Sequence, residues 1–184
     1  WERDKQKVNA FIERNSRWLA DYALFMALKR HFGMKSWTEW EDEDIRLRKP
    51  AAMAKYRELL REDIELFTYI QYLFFEQWTK LKAYINGLGI GIIGDIPIYV
   101  AMDSADVWAE PEFFQLDEKN LPVEVSGVPP DDFSAEGQLW GNPLYDWDKM
   151  QSDGFGWWIR RIDGAGKMYD VIRIDHFRGL ASYW

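Results

Sequence analysis

At 184 residues, with 47% hydrophobic side chains, the chain is long enough to bury a core of its own. Its net charge of −8, from 23 basic against 31 acidic residues, leaves no basic footprint for a phosphate polyanion, so nucleic acid is excluded as a partner. No cysteine is present, which removes disulfides and thiolate metal sites. The only histidines, His31 and His176, lie far apart in sequence and disfavour an imidazole zinc site. No apolar run reaches the roughly 18 residues of a membrane helix. The opening Trp1-Glu2-Arg3-Asp4-Lys5 lacks the marks of a secretory signal. Together these features read as cytoplasmic, with no membrane and no metal. Aromatic residues make up 17% of the chain and include 11 Trp. An aromatic-rich core accounts for half or more of them. The rest suit a sugar-binding surface, because pyranose faces present C–H groups that pack on indole.

Residues 8–32 read as helices, with Trp18, Leu19, Tyr22, Leu24, Phe25, Ala27 and Leu28 forming a wide apolar face and Gly33 as the stop. Residues 34–50 read as a loop, whose acidic run Glu41-Asp42-Glu43-Asp44 is most simply a solvated surface. Pro50 suits a first helical turn. From Met53 through Tyr56, Leu60, Ile64, Phe67, Ile70, Phe74, Trp78, Leu81 and Ile85 to Leu88, apolar residues recur every three or four positions. The pattern predicts one long helix ended by Gly87 and Gly89, roughly 55 Å if unbroken, with its stripe packed in a core.

The run Ile90-Gly91-Ile92-Ile93-Gly94-Asp95-Ile96-Pro97-Ile98-Tyr99-Val100 predicts a buried strand with Asp95 near its carboxyl end. Residues 101–150 are rich in Pro, Gly, Asp and aromatics, and predict a long loop with short helical turns. A helix follows over 154–167. Val171-Ile172-Arg173-Ile174-Asp175 is then a second buried strand ending in an acid. Strand, helix, and strand with an acid at its end are the grammar of a βα-barrel, whose chemistry sits at the carboxyl ends of the strands. The two strands are expected to be parallel neighbours with Asp95 and Asp175 opening to the same end. Neither end of the chain reads as the end of a domain, so an internal piece of a longer barrel is expected.

Arg173 and Asp175, two apart on a strand, point the same way. A buried carboxylate beside a guanidinium stays ionised at neutral pH, as a nucleophilic carboxylate must. The alternative is a structural Arg–Asp pair holding the strand end. Asp95 at the matching end of the earlier strand adds a second carboxylate, the pairing on which glycosyl chemistry rests.

Several stretches carry a resemblance. They are Gly94-Asp95-Ile96-Pro97-Ile98-Tyr99-Val100 followed by Asp103-Ser104-Ala105-Asp106-Val107-Trp108; Gly127-Val128-Pro129-Pro130-Asp131-Asp132-Phe133-Ser134 running into Gly137-Gln138-Leu139-Trp140-Gly141-Asn142-Pro143-Leu144-Tyr145; and Ile172-Arg173-Ile174-Asp175-His176-Phe177-Arg178-Gly179. Upstream, Trp18–Phe25 and Gln71–Trp78 match as well. Nearly the whole chain resembles the amylomaltase (4-α-glucanotransferase) family, glycoside hydrolase family 77 of the α-amylase clan.

The resemblance implies an α/β fold, a partial (β/α)8 TIM barrel with about two of its strands and helical insertions. Residues 1–88 would be the helical insertion region. Residues 89–184 would be the catalytic barrel region, with an active-site loop over 126–146. It implies that Asp175 is the nucleophile of a retaining double displacement, oriented by Arg173. Asp95, Gln138, Trp140 and His176 would contact or support the sugar, and Asp131 would lie on a loop guiding the acceptor. The chain departs from many relatives at Asp132, where they carry Tyr. The substrates implied are malto-oligosaccharides and α-1,4-glucans, with no cofactor. The family's acid/base glutamate has no counterpart in this chain, so the chain alone is expected to be inactive. A same-clan α-glucan hydrolase and a non-catalytic glucan-binding module remain the alternatives.

Overall fold

The computed structural model describes residues 4–132 and 134–181. The opening residues Trp1 to Arg3, Phe133 of the predicted active-site loop, and the closing Ser182, Tyr183 and Trp184 lie outside the described residues. The chain divides into two compact units, Trp1–Lys80 and Leu81–Trp184.

The first unit is helical. Helices α1 (Lys5–Arg14) and α2 (Leu19–His31) occupy the predicted 8–32 region. Gly33 takes a positive φ of 67° just beyond α2, and Lys29 turns back to donate to the carbonyls of Met34 and Lys35 at 3.1 and 2.8 Å. The left-handed residue ends the helix, its amide meeting the Arg30 carbonyl, and Lys29 satisfies the two carbonyls just beyond it. Val8, Phe11, Leu19 and Tyr72 form a buried cluster, with Ile12, Tyr69 and Phe75 packed on it.

The expected loop over 34–50 is more ordered than its composition suggests. A 3₁₀ turn at Trp37–Glu39 buries Trp37, and α3 (Glu43–Arg46) forms within the acidic run. Asp42 caps α3, accepting from the amides of Asp44 and Ile45 at 3.1 and 3.4 Å and from the Tyr56 hydroxyl at 3.0 Å. That residue is therefore a helix cap and not merely solvated surface.

The single long helix is also corrected. It breaks at Leu60 into α4 (Pro50–Leu59) and α5 (Arg61–Gly87). Leu60 leaves helical geometry (φ −107°, ψ 23°) and its side chain is buried, so packing sets the break where no Pro or Gly marks it. The stripe is core only at its start. Met53, Tyr56 and Leu60 are buried, whereas Ile70, Phe74, Leu81 and Leu88 are exposed. A cavity of about 370 Å³ in this unit is lined by Ile12, Leu19, Leu24, Arg57, Ile64 and Thr68 among others, none of them a predicted site residue. Among the described residues no helix is long and apolar enough to cross a membrane.

In the second unit β1 (Ile93–Ile96) and β4 (Val171–Ile174) pair in parallel, in the register Ile93↔Val171 to Ile96↔Ile174. Between them come α6 (Ala105–Ala109), β2 (Val125–Val128), β3 (Gln138–Pro143), α7 (Trp147–Ser152) and α8 (Gly156–Met168). The parallel pairing agrees with expectation; full burial does not. Ile93 is 71% and Val171 55% exposed, because α8 packs on one face of the pair and leaves alternate residues uncovered. Gly94 is required by close approach, since a Cβ there would fall within the Tyr169 ring.

The segment read as loop between the strands contains an antiparallel hairpin, β2 with β3, irregular between Val125 and Gly127. The Trp residues divide by burial, with Trp78 and Trp147 half-buried. Trp37, Trp40, Trp108, Trp157 and Trp158 are buried, and Trp18 and Trp140 remain exposed.

Candidate active site

Strands β1 and β4 end together. In a parallel pair, side chains of in-register neighbours lie on the same face, and the register sets Asp95 beside Arg173. Arg173 grips Asp95 with two parallel bonds, Nε to Oδ1 at 2.9 Å and Nη2 to Oδ2 at 3.2 Å. Arg173 Nη2 also reaches Asp175 Oδ2 at 3.9 Å. The guanidinium thus faces both carboxylates at one end of the sheet, as expected, but with unequal grip.

The expected Arg173–Asp175 ion pair is present but long, and the tighter, two-bond grip is on Asp95, which the strand register sets directly beside the guanidinium. Arg173 holds the Asp95 carboxyl below the usual carboxylate range, chiefly through these hydrogen bonds. The expectation of a buried nucleophile is corrected. Asp175 is 73% exposed, with Arg173 at 64% and Asp95 at 51%.

The chain turns sharply after Asp175. His176 adopts the left-handed region (φ 48°, ψ 43°) and its amide donates to Asp175 Oδ1 at 3.0 Å. A 3₁₀ turn, Phe177–Leu180, follows. A left-handed non-glycine residue costs energy that its surroundings must offset, and such residues concentrate at functional sites. Gly179 folds back so tightly that a Cβ would meet His176 Cδ2 at 2.8 Å.

The hairpin supplies the flank. Trp140 meets the His176 ring edge-on at 5.1 Å and 84°, and its indole N–H donates to Gln138 Oε1 at 3.0 Å. Trp140 keeps 37% of its surface exposed, so Gln138, Trp140 and His176 do gather on the side of Asp175. An indole with its N–H satisfied and its ring still open is chemically suited to pyranose C–H groups.

Asp131 has a local task. Its carboxylate accepts from the Ser134 amide at 2.8 Å while its own amide donates to the Ser134 carbonyl at 2.9 Å, closing the turn before β3. No cluster of three or more His, Asp or Glu suited to a metal occurs among the described residues.

Three further residues support the site without having been singled out from sequence. Tyr99 lies 6.3 Å from Trp140, Asn142 donates to the Val100 carbonyl at 2.9 Å, and Tyr145 donates to the Ile98 carbonyl at 2.7 Å. All three fall inside stretches that carry the resemblance, which was the available signal.

A mixed α/β chain that sets a carboxylate–guanidinium–carboxylate row and an open tryptophan at the ends of two parallel strands has the makings of a glycosyl-transferring site. The chain belongs to the 4-α-glucanotransferase family, glycoside hydrolase 77, whose family model matches residues 1–184. It is 51% identical to the 4-α-glucanotransferase of Clostridium butyricum over 183 residues, 99% of this chain and 37% of that protein. To the Thermus thermophilus 4-α-glucanotransferase it is 50% identical over 181 residues, 98% of this chain and 36% of that protein. Amylomaltase from Streptococcus agalactiae, solved in complex with acarbose, superposes with a TM-score of 0.94 at 49% identity, covering 100% of this chain and 37% of that one. The chain thus spans a little over a third of the length of these relatives.

Proposed function

We propose that the whole protein is a 4-α-glucanotransferase acting on malto-oligosaccharides and α-1,4-glucans, and that this chain supplies the nucleophile side of its active site. The carrying observation is the row Asp95, Arg173 and Asp175 at one strand end, flanked by Trp140 and His176. The acarbose bound by the Streptococcus agalactiae relative supports a glucan-like ligand.

In this reading β1 and β4 are neighbouring strands of a (β/α)8 barrel. Residues 1–88 form a helical insertion, and residues 89–184 the catalytic region with its loop over 126–146. Asp175 Oδ2 attacks the anomeric carbon, the glycosidic C–O bond breaks, and a glucosyl ester forms on the enzyme. The leaving oxygen takes a proton from an acid that none of the chain's residues is assigned to supply. The 4-hydroxyl of an acceptor, giving its proton to the conjugate base of that acid, then attacks the anomeric carbon, breaks its bond to Asp175 and restores the carboxylate, with net retention. Arg173 positions and neutralises the carboxylate row, and Asp95 holds the guanidinium in place. Gln138, Trp140 and His176 contact the sugars beside the scissile bond. Asp131 shapes the loop along which the acceptor enters.

The test is maltotriose incubated with the full-length protein. Transfer conserves the number of glycosidic bonds, so glucose and longer oligomers should appear with reducing ends constant. Rising reducing ends would mean hydrolysis instead, and unchanged maltotriose with measurable binding would mean a glucan-binding module.

A further inference from the structure

Strand β1 ends at Ile96, so the next carbonyls leave the sheet ladder and need donors from elsewhere. They find them on α8. Arg161 Nη2 donates to the Pro97 carbonyl at 2.6 Å and Nη1 to the Ile98 carbonyl at 3.3 Å. Nη1 also donates to the Tyr145 hydroxyl at 3.0 Å, and that hydroxyl donates to the same Ile98 carbonyl at 2.7 Å. Burial pushes the Tyr145 phenol well above its usual range, so it remains a donor at any working pH. The guanidinium lies over the rings of Trp158 and Trp157, at 5.0 and 5.5 Å, which fixes its plane.

What this clamp holds is the back wall of the site. Pro97 and Ile98 follow Asp95 by two and three residues. Tyr99, next along, stacks on Tyr145 at 5.9 Å and 23° and approaches Trp140. On its other side the same turn abuts Gly179, where a Cβ would meet Ile98 Cγ1 and Tyr99 Oη at 3.3 Å. Gly179 closes the turn that begins at Asp175. The turn 97–99 therefore touches both the segment carrying Asp95 and the segment carrying Asp175, and Arg161 donates to that turn and to the Tyr145 hydroxyl that also holds it.

We propose that Arg161 is a positioning residue: together with Tyr145 it locks the turn 97–99, and through it sets the spacing of Asp95, Arg173 and Asp175. This rests on the transferase reading above. Reacting groups displaced by about 1 Å can lose about 10²-fold in rate, so the effect should fall on turnover and spare sugar binding.

The experiment uses the full-length protein and maltotriose, well below every variant's melting temperature. Arg161→Met should lower kcat by about 10- to 100-fold with KM changed little. Arg161→Lys keeps one cationic donor for the Pro97 carbonyl and should recover part of that loss. Tyr145→Phe, which deletes only the hydroxyl, should lower kcat by a smaller factor and serves if Arg161→Met does not fold. A purely structural role predicts the opposite pattern, with lower melting temperature but wild-type kcat per folded molecule. Wild-type kcat in folded Arg161→Met, or in folded Tyr145→Phe where the first does not fold, overturns the inference. If the wild-type protein transfers glucose and Asp175→Asn does not, that failure leaves the transferase reading standing. If the wild-type protein transfers nothing, both fall together.

Discussion

Strand β4 is bracketed by two aspartates, and their surroundings could hardly differ more. Asp170, at its amino end, accepts from the Ile92 amide and the Asn86 side chain at 2.8 Å each, and pairs with Lys82 at 3.2 Å. These donors, the Ile92 amide first, hold its carboxyl below the usual range. Asp175, at the carboxyl end, takes the amide of its own neighbour at 3.0 Å and a guanidinium no nearer than 3.9 Å. It is the more exposed of the two. A carboxylate whose lone pairs are taken up by donors is spent on structure. One that keeps an oxygen loosely engaged and open beside a cation can still form a bond. The two ends of one strand thus divide holding the fold from doing chemistry.

The sharpest way to break this contrast is to make the same change at both ends in the full-length protein. Asp175→Asn should leave the melting temperature near wild type and abolish maltotriose transfer by several orders of magnitude, since an amide oxygen is a poor nucleophile. A folded Asp175→Asn protein with near-normal transfer would remove that residue from the mechanism. Asp170→Asn should do the reverse, lowering the melting temperature while transfer per folded molecule persists.

The next largest effect is expected at Arg173. Lysine keeps the charge but cannot reproduce the fork on Asp95, so Arg173→Lys should cost kcat/KM about tenfold or more, with the loss mainly in kcat. A loss confined to KM would place the guanidinium on the substrate instead of on the carboxylates. Trp140→Ala should be milder and of opposite character, with KM for maltotriose rising several-fold and kcat changing less.

The pH response of Asp170 sharpens the structural half of the contrast. Its folded value is depressed, so its stabilisation is fully present above the unfolded value of about 3.9 and is lost as pH falls through the lower folded value. The melting-temperature gap between wild type and Asp170→Asn should therefore be wide near neutrality and close in acid. A gap independent of pH would mean that charge is not what Asp170 contributes. Asp42 extends the rule to the helical unit at the smallest scale: Asp42→Ala removes the α3 cap and the Tyr56 bond, and should cost about 1–2 kcal/mol by chemical denaturation.

The sequence by itself determined the local matters. Runs of β-branched residues ending in an acid located β1 and β4, and apolar periodicity located the longer helices, because strand and helix repeats are set by a few neighbouring residues. The family stretches brought Gln138, Trp140, Asp175 and His176 to notice before any geometry was known. What the tertiary structure alone decided were contacts between residues distant in sequence. Arg173 prefers Asp95 over Asp175 because of the register of two strands 78 residues apart. Leu60 breaks a helix because the core reclaims its side chain. Arg161, one cation among 23, becomes a clamp because packing of α8 on β1 carries it to carbonyls 63 and 64 residues away. Propensity acts along the chain, whereas register, burial and the satisfaction of stray carbonyls are settled only when separate segments meet.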